Sequence, residues 1–158
     1  MAVAKTGRGP RYLTFALEGE VYGVPVLKVK EILGMRAVTP LPQTPDSVLG
    51  VINLRGLIIP VLDLRRKFGL PPQEFDRKTS IIVLDLVYQS EALLLGAVVD
   101  AVHDVQAIPD DKINRLAGLE ARVRAKAIHG VAETPLGIRI LVDADHVLTE
   151  EELALIAE

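Results

Sequence analysis

The densest group of side chains that could do chemistry is Asp143-Ala144-Asp145-His146. Carboxylate oxygens and imidazole nitrogens are ligands that divalent cations take in proteins. The same residues have a simpler interpretation, because Asp143 directly follows an apolar run and an aspartate at such a position commonly caps a short helix. We expect the capping role, so the sequence predicts no metal site and no cofactor.

The other candidates for catalysis lack the partners that catalysis requires. His103 lies beside Asp104 and His129 lies before Gly130, and lone histidines of this kind are usually hydrogen-bonded or solvated. The chain has no cysteine, no Gly-x-Ser-x-Gly turn, no phosphate-binding glycine-rich loop and no His-Glu-x-x-His zinc motif. The sequence therefore predicts no catalytic residue, and we expect that the protein is not an enzyme.

One cation stands apart by its position. Arg55 and Gly56 separate two apolar runs, residues 51–54 and 57–62, both rich in β-branched side chains. Such runs predict a β-hairpin, and Gly56 supplies the positive φ that a tight turn demands. The guanidinium would then stand at the end of a rigid element, where it could bind a carboxylate or backbone carbonyls of a partner. It could equally be a solvated turn residue.

Hairpins are the elements that must position these residues. Apolar segments that alternate with polar residues, or run continuously, predict hairpins over residues 12–25, 51–62, 80–99 and 127–142. The core must be built from valine, isoleucine and leucine, since aromatic residues make up only 4% of the chain and tryptophan is absent. This composition favours sheets.

Helical signals occur between the hairpins. Val26, Val29 and Leu33 recur at helical spacing, which predicts a short helix or helical turn that ends at Gly34. A second short helix is predicted over residues 64–68. We interpret its basic triplet, Arg65, Arg66 and Lys67, as a solvated face.

Two further segments carry helical signals. Val98, Val102 and Val105 predict a brief helical or twisted segment with three polar residues outward, Asp100, His103 and Asp104. Near the C-terminus, Thr149 and Glu152 have the spacing of a capping box, which predicts the start of a C-terminal helix.

The two halves of the chain repeat one another. Residues 22–32 can be laid over residues 95–105, and Gly50, the turn glycine Gly56 and Asp63 over Gly130, Gly137 and Asp143. Each half would form a small barrel of about five short strands, since closing a sheet removes its exposed edges. A cleft between two such units is a natural docking groove.

We therefore predict a mainly all-β fold with two five-stranded barrel subdomains, short helices and a C-terminal helix. Residues 1–10 are expected to be a disordered tail, and residues 11–148 to form the domain. The first barrel would span about 11–75 and the second about 79–143, with approximate boundaries that leave interleaving open. The C-terminal helix would cover residues 149–158.

Composition and charge narrow the functional classes. The 158 residues carry a net charge of −3, and their basic residues are scattered, whereas a nucleic-acid-binding face is basic. Residues 1–11 lack the apolar core of a secretory signal, and no run approaches the ~18 apolar residues of a membrane span. We expect a cytoplasmic protein that is not inserted into a membrane and does not bind nucleic acid.

Several short motifs occur in a fixed order along the chain. Leu-Lys-Val-x-Glu-Ile occupies residues 27–32, Gly-Val-Ile-Asn-Leu-Arg-Gly at 50–56 continues into Ile-Pro-Val-x-Asp-Leu at 59–64, and Gly-x-Val-Val-Asp follows at 96–100. Together they resemble the motifs of CheW, a family of chemotaxis coupling proteins. The resemblance covers nearly the whole chain, from about residue 11 to the C-terminal helix.

This resemblance implies two SH3-like barrels and a non-catalytic adaptor. The adaptor would join the cytoplasmic tips of methyl-accepting chemoreceptors to the regulatory domain of the histidine kinase CheA, and would be recruited to membrane receptor arrays. Receptor binding is implied in the groove between the barrels, at the positions Val29, Glu31, Gly50, Asn53 and Arg55. The residues that contact the kinase stay unknown.

Two alternatives stay open at this point. A CheW-like adaptor could serve a chemosensory pathway that controls pili or development instead of flagella. A different class, an SH3-like barrel that binds nucleic acid, would require a basic stripe with interleaved aromatic residues.

Overall fold

The computed structural model describes residues 9–115, 127–149 and 152–153. Most of those residues form two β-sheets. The strands are β1 Arg11–Leu17, β2 Glu20–Pro25, β3 Val29–Gly34, β4 Val48–Leu54, β5 Leu57–Asp63, β6 Ser80–Tyr88, β7 Glu91–Val99, β8 Ala101–Ala107, β9 Ile113–Asn114, β10 Ile128–Thr134 and β11 Gly137–Val142. One α-helical turn, α1, covers Leu64–Lys67, and 3-10 turns cover Val26–Lys28, Asp110–Lys112 and Ala144–His146.

The strand order follows from the four hairpins, two parallel pairs, and the antiparallel pairing of β8 with β1, β9 with β10 and β3 with β6. Sheet one has the order β8-β1-β2-β11-β10-β9, and sheet two has the order β3-β6-β7-β5-β4. All four predicted hairpins are present as antiparallel pairs: β1–β2, β4–β5, β6–β7 and β10–β11. A parallel pair joins two hairpins within each sheet, β2 with β11 in sheet one and β7 with β5 in sheet two. The predicted mainly all-β fold is confirmed, with five strands in sheet two and six in sheet one, where the two-residue strand β9 is added to five others.

The internal repeat explains why the two sheets look alike. When β1, β2 and β3 are laid on β6, β7 and β8, and β4 and β5 on β10 and β11, the order of sheet two becomes identical to that of sheet one without β9. The strand register shifts at Gly50 in one half and at Gly130 in the other. Asp63 and Asp143 each accept a hydrogen bond from the backbone N–H two residues later.

The register aligns one turn differently from the sequence overlay. Asn53 pairs with Ile58, and Glu133 pairs with Ile138, so these two pairs are equivalent. Leu136, and not Gly137, therefore occupies the position of Gly56. The two glycines are displaced by one residue because the two turns have different backbone conformations.

The repeat halves exchange strands between the sheets. Sheet one takes β1 and β2 from the first half and β8 to β11 from the second, while sheet two takes β3 to β5 and then β6 and β7. A cut at residues 75–79 therefore leaves strands of both sheets on each side. The chain crosses between the sheets at Val26–Lys28 and at Asp100.

The buried side chains divide in the same way. A small cluster lies within sheet two, around Ile59, Val61 and Ile81, and another lies within sheet one, around Ile108 and Leu141. The largest cluster takes residues from both sheets, and we call it the shared core. In it the rings of Phe15, Tyr22 and Phe68 stack with centroids 5.8 and 5.7 Å apart.

The helix predicted after Val26 is wrong beyond its first turn. Val26–Lys28 forms a single 3-10 turn, and Val29–Gly34 is strand β3, paired with β6. Along β3 half-buried and exposed residues alternate, with Val29, Glu31 and Leu33 inward. The apolar residues of this segment fit both the spacing of a helix and the alternation of a strand. The segment is a strand because it pairs with the buried strand β6.

The segment around Val102, predicted as helical or twisted, is not helical: it is strand β8, which pairs with β1. His103 is exposed as expected. Asp104 is not directed outward, because Thr14 Oγ1 donates to its carboxylate at 2.7 Å. The periodicity was ambiguous, and the free edge of β1 is what selects the extended form.

Both ends of the chain fall partly outside the described residues. Of the tail expected at residues 1–10, residues 1–8 lie outside the described residues. Glu152 and Leu153 are helical, in agreement with the predicted C-terminal helix, whereas residues 154–158 lie outside the described part. Within that part, no helix is long and apolar enough to span a bilayer.

Candidate functional site

The five candidate residues come from two elements at opposite edges of sheet two. Val29 and Glu31 lie on β3, whereas Gly50, Asn53 and Arg55 lie on β4 and the turn that follows it. The structure brings the two edges together, because Arg55 Nη2 donates a hydrogen bond to Glu31 Oε2. Glu31 and Arg55 therefore form the centre of the candidate site.

The turn that presents Arg55 is a tight two-residue turn. Arg55 and Gly56 both have positive φ, +50° and +90°. The positive φ of Gly56 was predicted, but that of Arg55 was not, since a left-handed conformation costs a non-glycine residue roughly 1 kcal/mol. Asn53 Oδ1 accepts a hydrogen bond from Gly56 N at 2.9 Å, which holds the turn closed. The β1–β2 and β6–β7 turns have the same pair of positive φ values, at Glu18–Gly19 and Gln89–Ser90, so this conformation belongs to the two-residue hairpin turns of the fold.

The exposure of the ion pair shows what it does. The side chain of Arg55 is 70% exposed and that of Glu31 is 25% exposed. Exposed ion pairs contribute about 0–1 kcal/mol to stability, because water screens both charges. The pair therefore orients the guanidinium on the surface and adds little to the stability of the fold.

Gly50 supports the site from beneath the surface. It is buried, its φ is +146°, and a Cβ built on it would lie 2.0 Å from the carbonyl oxygen of Thr39. Thr39 and Val51 exchange backbone hydrogen bonds of 2.9 Å, so the segment before β4 lies directly against this glycine. Gly50 thus acts through backbone geometry and offers no side chain to a partner.

The basic triplet does not form a solvated face, so that interpretation is wrong. Arg65 is 7% exposed and forms a two-pronged ion pair with Asp100, with Nε and Nη2 each 2.6 Å from a carboxylate oxygen. Its Nη1 donates to Glu18 at 2.5 Å and to the carbonyl of Pro71 at 2.7 Å. Only Arg66 is exposed.

These contacts make Arg65 a link between the sheets. Arg65 belongs to α1 after sheet two, Glu18 lies in the β1–β2 turn of sheet one, and Asp100 lies where the chain crosses between them. The side-chain hydrogen bond and charge of Asp100 raise the pKa of Arg65 and outweigh the opposing effect of burial. No local sequence pattern predicts this network, because its carboxylates lie 35 and 47 residues from Arg65 in the sequence.

Lys67 is also withdrawn from solvent. Its Nζ donates to Glu152, whose side chain is 6% exposed and also accepts a 2.6 Å hydrogen bond from Ser47 Oγ. The capping box is confirmed, since Thr149 N donates to Glu152 and Glu152 N donates to Thr149 Oγ1. Burial alone would raise the pKa of Glu152, but the hydrogen bonds from Lys67 and Ser47 lower it below its ordinary value.

The acidic cluster near the end of the chain has the capping role that the sequence predicted. Asp143 Oδ1 accepts from Asp145 N at 3.2 Å, and Asp143 Oδ2 lies 2.8 Å from His146 Nδ1. Asp145 is paired with Lys28 at 2.9 Å. In the ranges that the structure describes, no three His, Cys, Asp or Glu side chains are grouped so that they could hold a metal ion.

Comparison with known proteins agrees with the motifs. The CheW-like domain family matches residues 11–152. The chain is 36% identical to chemotaxis protein CheW of Klebsiella aerogenes, over 94% of this chain and 87% of that protein, and 31% identical to that of Rhizobium meliloti, over 93% and 92%. Its fold is similar to the crystal structure of scaffolding protein TtCheW from Thermoanaerobacter tengcongensis, with a TM-score of 0.80, 28% identity and coverage of 92% of this chain and 96% of that one.

Proposed function

The chain belongs to the CheW family of chemotaxis proteins, and on that premise we propose that it is a non-catalytic adaptor. It couples the cytoplasmic tips of chemoreceptors to the regulatory domain of the histidine kinase CheA, and it works at receptor arrays. The observation that carries this proposal is Arg55, a mostly exposed cation held at the end of a rigid hairpin by Glu31.

The receptor-binding site consists of Val29, Glu31, Asn53 and Arg55, with Gly50 as the backbone support beneath them. A receptor tip is a pair of antiparallel helices, and a helix can lay an apolar face on Val29 while its polar groups reach the guanidinium. Arg55 keeps a fixed position there because Asn53 closes its turn. A fixed cation loses little conformational freedom when it binds a carboxylate or carbonyl group.

The test is a calorimetric titration of the full chain against a cytoplasmic receptor fragment that contains the helical tip. Arg55→Ala is expected to weaken binding about tenfold or more, the loss that follows removal of a hydrogen bond from a charged group. Its melting temperature should stay within about 3 °C of the wild type, because the exposed ion pair adds little stability.

Arg77→Ala is the matched control, since Arg77 is exposed in the connection between α1 and β6. It should bind the receptor fragment with wild-type affinity. If Arg55→Ala also binds with wild-type affinity, Arg55 is not part of the receptor site. If the wild-type chain binds neither the receptor fragment nor the CheA regulatory domain, the adaptor function itself is refuted.

A further inference from the structure

Leu27 is the most exposed large apolar side chain in the described part of the protein, at 96%. It lies in the 3-10 turn where the chain crosses from sheet one to sheet two. Val26 and Val29, before and after Leu27 in the chain, are partly buried and pack against the shared core. The backbone therefore places the two valines partly in the core and leaves the leucine between them in solvent.

The second half of the repeat shows that the fold does not require an apolar side chain here. In the overlay of the two halves, Leu27 falls on Asp100, which binds Arg65 at the other crossing. At the first crossing the corresponding ion pair is made by Lys28, the residue after Leu27. Its Nζ lies 2.9 Å from Asp145 Oδ1. Both Arg65 and Asp145 stand two residues after a capping aspartate. Leu27 is thus left without a structural role.

Leu27 is continuous with the proposed receptor site. It precedes Val29 by two residues and Glu31 by four, and four residues of extended chain span at most about 14 Å. Two helices packed side by side are about 20 Å wide, so one helical hairpin can cover Leu27 and Glu31 together. The partly exposed Lys28 and Asp145 beside it form a polar rim, which is the usual setting of a strongly contributing apolar contact.

From these observations, and resting on the function proposed above, we propose that Leu27 is an apolar anchor of the receptor interface. Its side chain inserts between aliphatic side chains of the two receptor helices, next to the contacts made by Val29 and Glu31. The contact extends the site from sheet two onto the crossing between the sheets.

The test compares four forms of the full chain in titrations against the receptor fragment: wild type, Leu27→Ala, Leu27→Met and Leu136→Ala. Leu27→Ala should weaken binding roughly tenfold to a hundredfold, the effect of losing the burial of one leucine side chain. Leu27→Met should stay within about threefold of the wild type, because it keeps a flexible apolar side chain of similar volume. Leu136, 65% exposed in the β10–β11 turn of sheet one, is the matched control and should have no effect.

Each outcome separates this proposal from the adaptor function. If the wild type binds and Leu27→Ala binds equally well, Leu27 is not an anchor and the adaptor function stands. If the wild type does not bind the receptor fragment at all, the adaptor function fails first. A melting temperature of Leu27→Ala more than about 4 °C below the wild type would overturn the proposal, since it would show that Leu27 packs against its own chain.

Discussion

Replacing Arg65 by methionine should destabilise the protein strongly, although the sequence placed this residue on a solvated face. Methionine keeps much of the volume of the side chain and removes its charge and all its donors. The Asp100 side chain, 23% exposed, would lose its two 2.6 Å hydrogen bonds, and Glu18 would lose its ion pair. The β1–β2 turn of sheet one would then no longer be joined to α1 of sheet two by this side chain.

The size of the effect follows from burial. Breaking a buried ion pair by removing one partner costs about 3–5 kcal/mol, because the remaining charge is left unpaired. We expect the lower end, about 3 kcal/mol, since water reaches Asp100 and the 47% exposed Glu18. Total stability of a domain is roughly 5–15 kcal/mol, so this loss is a large fraction of it. For a chain of this size the melting temperature should fall by about 6–12 °C.

The assay is urea unfolding with thermal melting, applied to Arg65→Met, Arg65→Lys and Arg66→Ala. Arg65→Lys should be intermediate, because lysine keeps the charge but cannot form the two-pronged contact. Arg66 is the neighbouring control, 46% exposed and 3.6 Å from Asp63, and its loss should cost less than about 1 kcal/mol. A melting temperature for Arg65→Met within 2 °C of the wild type would refute the claim that this network joins the sheets.

Two further predictions concern Gly50 and Glu152. Gly50→Ala should lower the free energy of unfolding by about 2 kcal/mol or more, because its Cβ would collide with Thr39, whereas Gly34→Ala, with open space around it, should stay near the wild type in urea unfolding. Glu152→Gln should cost about 2 kcal/mol near pH 7, because Lys67 would lose its carboxylate partner. The folded-state pKa of Glu152 lies below its ordinary value of 4.5, so its stabilisation is complete above that pH and is lost as the pH falls through the folded pKa. The difference in the free energy of unfolding between wild type and Glu152→Gln, measured in urea, should therefore shrink as the pH is lowered. A difference that grows would contradict the lowered pKa of Glu152.

The shared core gives a reason for the exchange of strands. Its members include Phe15 of β1, Leu62 of β5 and Leu84 of β6, so residues far apart in the sequence fill one interior. Neither half of the chain holds all the strands of either sheet. The two sheets are therefore expected to unfold together, because removing one would expose the shared core.

The local sequence was sufficient to predict the hairpins and the capping box. The β4–β5 hairpin needs only two β-branched runs with Arg55 and Gly56 between them, and the capping box needs only Thr149 and Glu152 three residues apart. Each is decided by residues that are neighbours in the chain. The motif that resembles CheW is of the same local kind, and the family match agrees with it.

The local sequence was insufficient to predict the structure of a segment or the burial of a side chain that depends on a partner from another part of the chain. Val29 and Leu33 satisfy helical and strand periodicity alike, and pairing with β6 makes the segment a strand. Arg65 and Arg66 are adjacent arginines that the local sequence does not distinguish. Arg65 is buried because it forms ion pairs with Asp100 and Glu18.

The amino-acid sequence by itself determined the four hairpins, the capping box and the family motif, because each depends on residues close together along the chain. The tertiary structure alone decided how the two halves share the strands of each sheet, which arginine is buried, and that Glu31 on one edge of sheet two reaches Arg55 on the other. The physical reason is that burial and ion pairing depend on distance in space, and the distance between two side chains is fixed only when the sheets have packed together.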